Sequence, residues 1–238
     1  MSIDPFYNKE VDCLLCKTTF QTKRIRSSAK KVRNIESDFF SNYETENEKA
    51  NPLFYHVNVC PHCGYSFSDD ADSYFNPKRK QELKDKISAH WQQRYDYSEE
   101  RTITQAVQAF KLAIFAGQIK KEKPIVMAGL HMRLSWIYRI QGDEENEPRF
   151  MEYALKAYEK SYFEGDYTDT EMSQIHVTYI IGELYRRVGD FQKASVYFSE
   201  LIHMKDETKD RRYIEMAKTQ WQIMREQQKA ETELEQVK

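Results

Sequence analysis

Four cysteines in two CxxC pairs constrain this 238-residue chain more than any other feature: Cys13 and Cys16 in Val11-Asp12-Cys13-Leu14-Leu15-Cys16, and Cys60 and Cys63 in Cys60-Pro61-His62-Cys63-Gly64. A CxxC loop turns two thiolates toward one point, and two such loops complete a closed tetrahedral four-sulfur site. The spacing between the pairs is longer than in a compact zinc ribbon. The stretch from Phe20 to Val59 must therefore fold as a bridge.

Zinc is the metal expected on Cys13, Cys16, Cys60 and Cys63, in a structural role. The Cys60-Pro61-His62-Cys63-Gly64 half also has the form of a rubredoxin knuckle, which keeps iron as the alternative. Proline and glycine around the second pair suit a knuckle turn, where backbone amides point at sulfur and glycine adopts a positive φ. A redox CxxC would instead open a helix after a strand. Disulfides within such close pairs would be strained, and Met1-Ser2-Ile3-Asp4-Pro5 is polar rather than an apolar export signal. Reduced, metal-type cysteines then point to the cytoplasm.

Residues 17–33 carry seven bases (Lys17, Lys23, Arg24, Arg26, Lys30, Lys31, Arg33) and no acid. Alternation in Phe20-Gln21-Thr22-Lys23-Arg24-Ile25-Arg26 and in Lys31-Val32-Arg33-Asn34-Ile35 predicts a hairpin of two half-exposed strands around Ser27-Ser28-Ala29. Residues 36–49 turn acidic (Glu36, Asp38, Glu44, Glu46, Glu48) and read as a loop. Residues 53–59 read as a strand delivering the second knuckle. The basic hairpin could contact nucleic-acid phosphates. A solvated face balanced by the nearby acids is preferred, because from Lys23 to Arg33 no aromatic is interleaved with the bases to stack a nucleobase.

A net charge of −2, 31 % charged residues, seven glycines and six prolines fit a helix-rich chain rather than a barrel or sandwich. No apolar run approaches the ~20 residues of a membrane span. The pattern changes at Asn76-Pro77, after which helical periodicity begins with the stripe Leu83, Ile87, Trp91. This divides the chain into a four-cysteine module over 1–76 and a helical domain over 77–238, an α+β fold that is predominantly α.

The helical part contains an internal repeat close to the tetratricopeptide pattern. In its best copy Gly182 allows close helix approach, Tyr185 fills the space between helices, Gly189-Asp190 turns the chain, and Ala194 and Phe198 form the second inner face, followed by Leu201. An earlier copy reads Leu134, Trp136, Tyr138, Gly142-Asp143, Ala154 and Tyr158, with an insertion over residues 143–148. A weaker trace runs through Tyr97, Ala106, Phe110 and Ala113. Gly142 and Gly189 stand 47 positions apart, against about 34 in the regular repeat, so either helices or loops are longer. Residues 213–221 read as a capping helix that passes into a charged, flexible tail.

In this register Met132, Trp136, Arg139, His176, Tyr179, Glu183 and Arg186 face a groove suited to a protein or peptide partner, with the arginines able to fork onto a carboxylate. The alternative is that the apolar members pack against the four-cysteine module or the last helix while the arginines are solvated. The six histidines are scattered, and no phosphate-cradling glycine loop, nucleophile elbow or HExxH occurs. The expectation is thus a non-catalytic interaction module or scaffold. A nucleic-acid-associated factor is the alternative, and an unrecognised enzyme a remote one.

Taken together, Cys13-Leu14-Leu15-Cys16, the segment from Phe54 through Gly64, and Asp72-Ser73-Tyr74-Phe75 resemble an uncharacterised bacterial family, domain-of-unknown-function family two-two-two-five. The resemblance runs over most of the chain. It implies a bacterial cytoplasmic protein pairing an N-terminal four-cysteine site with a helical region, and it supplies no activity.

Overall fold

A computed structural model describes residues 4–204 and 211–236, with side chains up to 229. Six short strands precede seven helices among these residues. Strand β1 (Phe6–Asp12) pairs antiparallel with β2 (Thr19–Ile25), β3 (Val32–Ile35) with β4 (Ser41–Tyr43), and β5 (Val57–Val59) with β6 (Ser66–Ser68). The helices are α1 (Pro77–Lys86), α2 (Ile103–Lys120), α3 (Pro124–Gln141), α4 (Asn146–Glu164), α5 (Gln174–Arg187), α6 (Phe191–His203) and α7 (Arg211–Gln236). None is long and apolar enough to cross a membrane among the described residues.

The bridge between the cysteine pairs differs from the predicted basic hairpin. The two anticipated strands exist, but they are not partners: β2 returns along β1, and β3 pairs with β4 inside the stretch read as a loop. Strand β1 was not anticipated, because only Phe6 along it is fully buried and its alternation is weak. The strand expected over residues 53–59 is a 3₁₀ turn, Pro52–Tyr55, followed by β5. Pro52 removes a ladder donor, and the Asn51 side chain accepts from the Leu53 amide to start the turn.

Helix boundaries follow local capping chemistry. Asn76 accepts from the Lys78 amide ahead of Pro77, where helix α1 begins as predicted. Thr102 and Gln105 form a reciprocal capping box at the start of α2. The residues read as an insertion at 143–148 are a tight turn into α4. The long spacing from Gly142 to Gly189 arises instead from the 19 residues of α4 and from the connection through a 3₁₀ turn, Asp166–Asp169, before α5. Where α5 and α6 meet, a Cβ on Gly182 would lie 2.8 Å from the Phe198 ring, and Ala194, Phe198 and Leu201 are buried.

Two hydrophobic clusters hold the fold, and both cross position 76. One joins Phe6, Ile25, Phe54, Tyr55 and Val57 to α2–α7. The other surrounds the cysteines and recruits Leu83 from α1, Ile87 just past its end, and Ala116 and Ile119 from α2. Arg101 lies within the first of them and ties the N-terminal strands to the segment before α2. It is fully buried and donates to the carbonyls of Phe54 (3.1 Å), Val57 (2.7 Å) and Tyr97 (2.8 Å) and to Thr22 (3.3 Å), with its guanidinium over the rings of Tyr55 and Tyr97. Burial without a carboxylate partner pushes its pKa down to about 10. The cap expected over residues 213–221 is longer: α7 continues through the stretch read as a flexible tail as far as Gln236, and the residues beyond lie outside the described ones.

Candidate functional site

The two CxxC loops adopt one backbone conformation. The amide of Lys17 donates to the Cys13 carbonyl and that of Gly64 to the Cys60 carbonyl, each at 2.9 Å. Cys13 N donates to Thr18 O and Cys60 N to Tyr65 O, each at 3.0 Å. Residues 17 and 64 both take a left-handed φ, 65° and 70°. This is the knuckle turn expected from the second pair, and the first pair forms it without glycine because Lys17 is exposed.

All four Sγ atoms lie within 4.8 Å of one another. Cys13 and Cys63 are 3.6 Å apart and Cys16 and Cys60 3.7 Å. A tetrahedron with metal–sulfur bonds of about 2.3 Å has sulfur edges of about 3.8 Å, so the residues present fit a single ion. Hydrogen bonds from the Cys13 and Cys63 sulfurs draw Cys60 down to about 4, whereas hydrogen bonds to Cys13 and Cys60, together with burial, push Cys63 up. Four thiolates this close require a cation among them. His62 is exposed, the spacer position expected of it.

The second knuckle is held from outside by Trp91, whose Nε1 donates to the Pro61 carbonyl at 2.8 Å. Trp91 was expected to extend the α1 stripe. It lies past the helix end instead, partly buried.

The helical face expected to meet a partner meets the chain itself. Strands β3 and β4 form a finger, residues 32–43, whose tip at 36–40 enters the face built by α3 and α5. Arg139 Nη1 pairs with Glu36 at 2.8 Å, Nη2 with Asp38 at 2.8 Å, and Nε with Glu147 at 2.6 Å. Arg187 reaches Glu36 (3.2 Å), Asp38 (3.5 Å) and Glu183 (2.8 Å). Burial raises the Asp38 carboxyl, but the hydrogen bond from Arg139 and the charges of Arg187 and Arg139 outweigh it and leave the group below its usual range.

The remaining groove residues are likewise engaged. Trp136 donates to Asp38 (3.2 Å) and packs near Phe40; the Tyr179 hydroxyl donates to Ser37 O (2.9 Å). Glu183 is fully buried and accepts from Ser37 (2.6 Å) and Arg186 (2.8 Å). His176 contacts Phe39 and stacks on Tyr213, and Met132 is buried. Arg139 and Arg186 are thus ion-paired rather than solvated. Phe39 holds a left-handed φ of 69°, fixed between His176, Tyr179 and Tyr213. In the sequence the acids of residues 36–38 carry only the mark of a charged loop, and no local pattern marks Arg187.

The basic run is split. Lys23 pairs with Glu99, and Arg24 with Asp69, on β2. Lys30, Lys31 and Arg33 stand exposed at the finger.

A family model described as an uncharacterized protein conserved in bacteria (DUF2225) matches residues 6–224. No curated protein and no solved structure matches the chain.

Proposed function

The chain belongs to this bacterial family, and we propose that it works as a non-catalytic, cytoplasmic protein-interaction scaffold with structural zinc on Cys13, Cys16, Cys60 and Cys63. Zinc is favoured over iron because a closed set of four cysteine ligands in paired CxxC loops is the usual structural zinc site. Such a site leaves no open position for a substrate water, so its role is to fix the module against α1 and α2.

One observation carries the interaction reading: the α3–α5 face already holds an acidic and aromatic hairpin turn, Glu36 to Phe40, through paired arginines and a buried glutamate. A tetratricopeptide-like array presents a concave face of this kind to its partners. The partner chemistry that suits it is therefore an acidic segment bearing aromatics. The division of the basic run between β2 and the finger favours a protein partner over nucleic acid.

The test is co-purification from the native bacterium with partners identified by mass, followed by affinity measurement. Arg139→Ala plus Arg186→Ala should weaken the identified partner by roughly 2 kcal/mol or more with helix content unchanged. Unaltered affinity would move the site off this face.

A further inference from the structure

Behind the finger tip, between His56 and helices α3, α4 and α5, lies a cavity of about 560 Å³. This is within the range of small-molecule sites. Its apolar wall is formed by Val126, Met132 and Ile180.

The polar groups of this cavity are mismatched. Arg133 donates one hydrogen bond, to the Gly129 carbonyl at 3.1 Å, and meets no carboxylate within ion-pair distance among the described residues. The Tyr158 hydroxyl, close enough to feel the Arg133 charge, has no hydrogen-bond partner among the described residues. Asp70 and Glu171 stand exposed at the rim of the same cavity, and neither meets a lysine or arginine among the described residues, whereas Asp38 and Asp169, which also line it, are paired with Arg139 and Lys123. Asp70 stands 3.8 Å from His56 Nε2, but burial and then the Arg133 charge keep that imidazole neutral. A guanidinium thus faces a cavity whose rim carries two exposed carboxylates, without pairing to either.

A ligand that is itself dipolar satisfies both ends. Its carboxylate would take the Arg133 fork and the Tyr158 hydroxyl, and its ammonium would face Asp70 and Glu171. A phosphate dianion would meet those two acids and be repelled. We propose that this cavity binds a free α-amino acid with a large apolar side chain, which would lie against Val126, Met132 and Ile180. The cavity adjoins the face proposed for a protein partner and shares Met132, Trp136 and His176 with it, but the proposal rests on Arg133 and Tyr158 rather than on Arg139 and Arg186, so each reading fails by its own variants.

The experiment is calorimetric titration of the metal-loaded full chain with L-phenylalanine, L-leucine and L-methionine, alongside 3-phenylpropionate and phenethylamine, which each keep one charge. At least one amino acid should bind saturably. The matching single-charge analogues, Arg133→Gln and Tyr158→Phe should each weaken binding by about tenfold or more, at unchanged melting temperature. Should Arg133→Gln fail to fold, Tyr158→Phe, which removes only a hydroxyl, decides. No saturable binding by any of the three amino acids overturns the proposal. So does 3-phenylpropionate binding as tightly as phenylalanine, or affinity unchanged in Tyr158→Phe.

Discussion

A Cβ on Gly64 would lie 2.4 Å from the Trp91 ring, at a residue whose φ of +70° already favours glycine. Two independent demands converge there, whereas Lys17, its counterpart in the first knuckle, answers only the conformational one. Gly64→Ala should therefore destabilise the protein by on the order of 2–4 kcal/mol, from left-handed strain plus overpacking. Lys17→Gly should be neutral or slightly stabilising. Urea midpoints for the two variants check this, and a wild-type midpoint for Gly64→Ala would refute it.

Metal analysis of protein purified under reducing conditions should return one ion per chain, and zinc on the reading given above. Chelation, or Cys60→Ser, should loosen more than the module before residue 77. Leu83, Ile87, Ala116 and Ile119 pack on the cysteines, so hydrogen exchange should rise in α1 and in the last turns of α2 as well. Exchange confined to residues before 77 would show that the halves fold independently.

Arg139→Ala should cost about 3 kcal/mol, since it leaves Asp38, with no exposed surface, short of its closest countercharge. Arg187 remains 3.5 Å away and limits the loss. Asp38→Asn combined with Arg139→Ala should cost less than the two single changes summed. Chemical denaturation of the four proteins in a double-mutant cycle gives the coupling, and additive losses would show that the pair contributes nothing beyond its parts.

His131 supplies a pH dependence. It is buried on α3 with Nδ1 unpartnered, and burial pushes its pKa down to about 4. The unfolded chain titrates this group near ~6.5. Between those values the unfolded state holds the extra proton, so stability falls as pH falls, by up to about 3 kcal/mol. His131→Leu should flatten this slope between pH 6.5 and 4 in thermal or urea unfolding. An unchanged slope would mean that the imidazole is not buried neutral.

What was legible in the sequence was local or chemically specific. The CxxC spacing identifies the sulfur site because few arrangements satisfy two such loops. Gly182, Ala194 and Phe198 are buried as their helical spacing predicts, and Asn76-Pro77 marks a helix start. The finger was not legible. Its acids are separated by about a hundred positions or more from Arg139 and Arg187, and a pairing over that distance leaves no periodicity to read. Arg101 was invisible for a related reason. It follows Glu99 and Glu100 in a charged stretch, and only tertiary packing takes it out of water.

Both ends of the finger lead back to the metal knuckles, one on each side. Its tip is therefore a ligand on a doubly anchored tether, presented to the arginine-lined face at an effective concentration in the millimolar range. A partner segment competing for that face must outbind a rival that never diffuses away. A change that frees either anchor dilutes the rival without altering a single contact in the face itself.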